Sequence, residues 1–145
     1  MANKHLVFVY GSLKQGMLRN NALRGQRYIG VAVTEPKYGM FQLSGYPALI
    51  NEHHAEAGTL LKEPKPVYGE LYELDHACVL ELDKIEGCDQ GLYERRTVEL
   101  KDLWPMNLPS CQEAFGPFLQ KRAEAYFYKK AVGGAKDCGS FWSHR

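Results

Sequence analysis

The feature that most constrains this chain is Leu6-Val7-Phe8-Val9-Tyr10, five apolar residues in succession that stop at Gly11-Ser12-Leu13-Lys14-Gln15-Gly16. Side chains alternate across a strand, so a run without polar alternation has to bury both of its faces. The first strand therefore needs cover on two sides. A chain of 145 residues, 45% of them hydrophobic, can supply it without a disulfide or metal staple.

The rest of the chain reads mostly as strands. Residues 26–34, 38–43, 48–50, 67–74, 93–101 and 122–130 carry strand-forming residues bounded by turn signals, and 57–62 is a further candidate. A short helix is expected from Met17 to Leu23, ending near Gly25. Asp75 is placed to N-cap a second helix that runs to Ile85. Cys78, Leu82 and Ile85 would form its apolar stripe, and Gly87 its stop. Segment 102–121 holds Pro105, Pro109 and Pro117 and reads as a surface excursion, while Phe141-Trp142 can dock the tail. The fold class is α+β: six or seven strands in so few residues suggest closure into a small barrel rather than an open sheet, since closure removes exposed edges. One domain over residues 1–145 is expected.

Eighteen basic against 17 acidic residues leave a net charge of +1, without the basic excess of a nucleic-acid binder. No apolar stretch approaches the ~18 residues of a membrane helix, and the N-terminus lacks the shape of a signal peptide. A cytoplasmic domain, monomeric or dimeric, with no nucleic-acid or membrane partner is expected. Cys78, Cys88, Cys111 and Cys138 form no C-x-x-C pair, and His53-His54 lack zincin spacing, so no metal is expected. Gly11 and Gly16 have P-loop spacing, but Met17-Leu18 stand where Lys-Ser/Thr is required, and no G-x-S-x-G elbow occurs.

Two constellations survive. A glycine-containing turn at the end of a buried strand can aim backbone N–H groups at an anion, although it can equally be a plain connection. In Glu81-Leu82-Asp83-Lys84-Ile85-Glu86-Gly87, Glu81 and Asp83 read as solvated. Glu86 lies in the last helical turn, beside the negative end of the dipole, where partial burial would lift its pKa toward the neutral range of a general acid/base. An exposed helix-end glutamate is the plain alternative.

Val9-Tyr10-Gly11-Ser12-Leu13-Lys14-Gln15-Gly16, Gly45-Tyr46-Pro47, and Leu82-Asp83-Lys84-Ile85-Glu86-Gly87 with Tyr93-Glu94-Arg95-Arg96 together resemble the γ-glutamylcyclotransferase-like superfamily, most closely its γ-glutamylamine cyclotransferase (AIG2-like) branch. The resemblance runs in order from about residue 5 to 130. It implies a small mixed β-barrel with flanking helices, no cofactor, and a small-molecule γ-glutamyl substrate released as 5-oxoproline and a free amine. By the same resemblance, Tyr10, Gly11, Ser12 and Leu13 would hold the glutamyl α-carboxylate through their backbone, and Glu86 would be the catalytic acid/base. Tyr46, Pro47, Tyr93 and a tyrosine of the 126–128 strand (Tyr126 or Tyr128) would line the pocket. A glutathione-specific cyclotransferase ranks lower, because that branch tends to carry an aromatic residue where this chain has Lys14. A binding module that keeps the pocket without catalysis is the reading from another class.

Overall fold

In the computed structural model, described for residues 4–17, 19–51, 63–105, 122–130, 132 and 135–142, eight strands, one α-helix and two 3₁₀ turns follow one another. Strand β1 spans Lys4–Val9, β2 Arg27–Thr34, β3 Tyr38–Gln42, β4 Pro47–Asn51, β5 Tyr68–Asp75, β6 Tyr93–Pro105, β7 Arg122–Tyr128 and β8 Lys136–Asp137. Helix α1 spans His76–Ile85. Five strands close a barrel in the order β1-β5-β2-β6-β7, and β4-β3-β8 form a separate sheet. Every barrel pairing is antiparallel except the closing one, where β1 meets β7 in parallel at Val7 and Glu124. The expected barrel is present, built from five strands rather than six or seven.

The two-sided burial of the first strand holds. Phe8 joins Ile29, Leu71, Val98 and Leu100 in the barrel core, while Val7 and Val9 face Leu74, Val79 and Leu82 under α1. None of the three is more than 3% exposed. Val98 and Leu100 share the inner face of β6, as their spacing predicts.

Helix α1 begins where expected, with the Asp75 carboxylate accepting the Cys78 N–H at 2.8 Å. It ends at Gly87, whose φ of 70° lies in the left-handed region that glycine adopts without penalty. Its apolar face differs from the expected stripe. Val79 and Leu82 are the residues it buries, and Ile85 is 41% exposed. On a 3.6-residue helix the Val79–Leu82 face continues to position 86 and not to 85.

The expected helix over 17–23 is reduced to a single 3₁₀ turn, Asn20–Leu23. The Asn20 amide bonds the Leu13 carbonyl and the Tyr72 hydroxyl, the backbone competition that keeps asparagine out of helix interiors. Residues 102–105 continue β6 instead of starting an excursion; the remainder of 102–121 and the 57–62 strand candidate lie outside the described residues. Trp142 is buried, with its indole N–H on the Gln42 side chain at 2.7 Å, whereas Phe141 stays exposed. Cys78, Cys88 and Cys138 are free thiols. Among the described residues no helix is long and apolar enough to cross a membrane.

Candidate active site

The abrupt end of β1 builds one wall of a cavity that opens to solvent, with about 370 Å³ of empty space when the solvent at its mouth is included. After Tyr10 the backbone folds on itself: the Lys14 N–H reaches the Gly11 carbonyl at 3.0 Å and the Arg19 N–H the Ser12 carbonyl at 2.8 Å. The turn thus uses its carbonyls internally. No acceptor among the described residues pairs with the N–H groups of Ser12 and Leu13, and both residues line the cavity. Such a strip of donors is chemically fit for a carboxylate.

The opposite wall comes from the β3–β4 hairpin. Gly45 turns it with a φ of 83°. Pro47 then packs so tightly on Gly11 that a Cβ at position 11 would lie 2.7 Å from the proline Cγ. Glycine is required there by close approach, and its φ is not positive. The Tyr93 hydroxyl donates to the Pro47 carbonyl at 2.9 Å and so locks the hairpin to β6. It bonds that carbonyl and not Glu86. The Tyr46 ring lies 6.4 Å from that of Tyr93, and the Tyr10 hydroxyl donates to the Tyr126 carbonyl at 2.6 Å.

Glu86 enters from the end of α1. Its backbone caps the helix, with the N–H on the Leu82 carbonyl at 2.9 Å, and its side chain is only 13% exposed. The reason is the helix face: Val79 and Leu82 point into the core, and position 86 is next on that stripe, so the packing that holds the helix also turns a carboxylate inward. Burial pushes the Glu86 carboxyl up to about 7, against the pull of the Arg19 guanidinium.

Nine of the ten residues expected from the sequence line this one cavity: Tyr10, Gly11, Ser12, Leu13, Tyr46, Pro47, Glu86, Tyr93 and Tyr126. Tyr128 does not. It packs edge-on behind Tyr93, 5.2 Å between ring centres, because residues two apart on β7 share a face but not a depth in the barrel.

One residue departs from its expected setting. Asp83 is not solvated: it takes Arg95 in a fork at 2.9 and 3.2 Å and the Tyr126 hydroxyl at 2.6 Å. Burial would raise its carboxyl, but these donors win and hold it below the usual range. Lys14 is buried, with its ammonium on the Trp142 carbonyl at 2.6 Å and over the Phe141 ring. By contrast Glu81 is exposed as expected and pairs loosely with Lys84. Phe8, Val9 and Arg19 line the cavity without having been expected there, and of the three only Arg19 is polar. Only its position just after the glycine-bracketed loop could have signalled it.

The model of the family "Gamma-glutamyl cyclotransferase, AIG2-like" matches residues 7–143. The chain belongs to this family. A Vibrio cholerae protein provisionally named a γ-glutamylcyclotransferase is 32% identical over 96 residues, 66% of this chain and 73% of its own. Gamma-glutamylaminecyclotransferase A of Danio rerio is 34% identical over 104 residues, 67% of this chain and 59% of that one. A crystal structure of an AIG2-like protein from Mus musculus superposes with a TM-score of 0.67 over 99% of this chain and 91% of its own, at 19% identity. The barrel described above is therefore the fold of this family. The branch that the Y-G-S-L turn and the Glu86-Gly87 helix exit suggest is the family found.

Proposed function

We propose that this chain is a cyclotransferase that releases 5-oxoproline and a free amine from a γ-glutamylamine or a related γ-glutamyl conjugate. The observation that carries the proposal is the pairing, across one cavity, of a buried carboxyl pushed up to about 7 with a turn whose Ser12 and Leu13 N–H groups have no partner among the described residues.

In this reading the Ser12 and Leu13 amides, with the backbone of Tyr10 and Gly11, take the substrate α-carboxylate. Tyr46, Pro47, Tyr93 and Tyr126 wall the glutamyl chain so that it folds back on itself. Glu86 accepts a proton from the α-ammonium, and the freed amine attacks the γ-carbonyl carbon to close a five-membered ring. As the tetrahedral intermediate collapses, the C–N bond to the departing amine breaks. The ring nitrogen sheds its second proton, and the leaving nitrogen collects both and departs as an ammonium. A carboxyl poised at about 7 is populated in both of its forms near neutrality, which suits one group to both transfers. Holding amine and carbonyl in contact can itself reach effective molarities of about 10⁵–10⁸ M.

Incubation with a panel of γ-glutamylamines, γ-glutamyl-amino acids and glutathione, followed by 5-oxoproline and amine quantification, tests the proposal. Equimolar release from at least one γ-glutamyl amide is expected. Binding without release would install the non-catalytic module in its place.

A further inference from the structure

We propose that Arg19 is a specificity-determining residue that reads a negative charge carried next to the leaving nitrogen, so that γ-glutamyl conjugates of α-amino acids are turned over in preference to those of uncharged amines. The inference rests on the cyclotransferase reading above and concerns its leaving-group side.

Arg19 is fixed by its backbone and uncommitted at its head. Its N–H bonds the Ser12 carbonyl at 2.8 Å and its carbonyl accepts the Ala22 N–H at 3.0 Å, which anchors the residue to the cavity turn. The guanidinium lines the cavity, 41% exposed, and makes no hydrogen bond among the described residues. The carboxylate paired with it is Glu86, at 3.9 Å from Nη1 to Oε2, which is beyond hydrogen-bond range. None of the guanidinium's five N–H donors is taken up in a hydrogen bond by a described residue.

The plain alternative is that Arg19 exists to neutralise Glu86. The same helix shows what such a pair does when it is made. Arg95 grips Asp83 in a fork and holds that carboxyl below its ordinary range, whereas Glu86 stays near 7 despite Arg19. Arg19 is not spent on Glu86.

The chemistry then says where its anion comes from. With the α-carboxylate on the 10–13 turn, a simple γ-glutamyl amide has no second negative charge. Glu86 has to touch the leaving nitrogen to protonate it, and Arg19 stands one step further out toward solvent. An α-amino acid as leaving group puts a carboxylate two bonds from that nitrogen, within reach of a guanidinium that flanks Glu86. A uncharged alkylamine offers nothing there, and an amine linked through a long side chain carries its carboxylate several bonds too far.

The test compares γ-glutamyl-alanine with γ-glutamyl-ethylamine for wild type, Arg19→Gln and Arg19→Lys, reading kcat and KM by 5-oxoproline release. Wild type should favour the alanine conjugate. Arg19→Gln should lose roughly ten- to a hundredfold in kcat/KM on that substrate, chiefly through KM, as expected for one charge-assisted contact. Its loss on the ethylamine conjugate should be smaller by at least about tenfold, and Arg19→Lys should recover part of the preference. Any change in Glu86 ionisation acts on both substrates alike and cancels in their ratio. Equal losses on the two substrates would overturn the inference while leaving the cyclotransferase reading in place, since Arg19 would then serve the glutamyl half or the reacting carbonyl. A wild type inert toward both substrates and the rest of the panel would overturn that reading, and this inference with it.

Discussion

Replacing Glu86 with glutamine should make the protein more stable and nearly inactive, and the stability gain should depend on pH in a way fixed by the burial of that one side chain. In the folded chain the carboxyl ionises at about 7, because only 13% of it reaches solvent, against an ordinary 4.5 in the unfolded chain. Between those values the unfolded chain has released a proton that the folded chain still holds. Stability therefore falls as pH rises through that window and levels off above it. At 1.36 kcal/mol for each pH unit between the two values, the cost at pH 8 is about 3 kcal/mol. Glutamine keeps the size and hydrogen-bonding capacity of the side chain without the charge. Urea midpoints should thus coincide for wild type and Glu86→Gln near pH 4.5 and separate progressively, with the variant about 3 kcal/mol more stable at pH 8 and the urea m-value unchanged. Over the same pH range 5-oxoproline release by the variant should drop by roughly 10²–10⁴-fold, the usual contribution of a positioned proton-transfer group. Glu81→Gln, on the same helix with a side chain 70% exposed, should change neither quantity and serves as control. Parallel stability curves for Glu86→Gln and wild type from pH 4.5 to 8 would refute the reasoning, because they would mean that ionising Glu86 costs the fold nothing.

Three further outcomes follow from the packing. Gly11→Ala should destabilise by about 1–3 kcal/mol in thermal unfolding and raise KM sharply, because its Cβ would sit 2.7 Å from Pro47 Cγ and push the two cavity walls apart. Lys14→Met removes the ammonium that holds the Trp142 carbonyl; in a Trp104→Phe background, which leaves Trp142 as the sole indole, emission should shift to the red as the tail loosens, and an unshifted spectrum would count against this role. Asp83→Asn should cost about 1–3 kcal/mol at neutral pH by leaving Arg95 with Glu124 as its one carboxylate partner among the described residues and weakening the Tyr126 bond. That difference should shrink as pH falls below the ordinary carboxylate range and through the lowered pKa of Asp83, where wild type loses the same charge, and melting curves measured from pH 7 down to about pH 2 will show whether it does.

The sequence by itself determined whatever depends on local backbone chemistry and on the facing of single elements. The unalternated run from Leu6 to Tyr10 required a strand buried on both sides, and Val7, Phe8 and Val9 are so buried. Asp75 and Gly87 marked the two ends of α1 because capping is a matter of a few neighbouring dihedrals and one short hydrogen bond. The turn after Tyr10 and the placement of Glu86 at a helix exit were legible for the same reason.

What only the tertiary structure decided is which surfaces meet. Closure of the barrel depends on the parallel contact between Val7 and Glu124, residues that no local pattern links. Asp83 and Glu86 are three positions apart on one helix and chemically alike, yet one is gripped by Arg95 and Tyr126 and the other is left nearly bare in a cavity. Their opposite pKa directions come from those partners and not from their neighbours in the chain. Nothing local links Lys14 to the Trp142 carbonyl it holds at the far end of the chain, or Arg19 to the Glu86 carboxylate it flanks. Electrostatic environment is set by groups within a few ångströms in space, and in a barrel closed by its first and last long strands those groups are separated by most of the sequence.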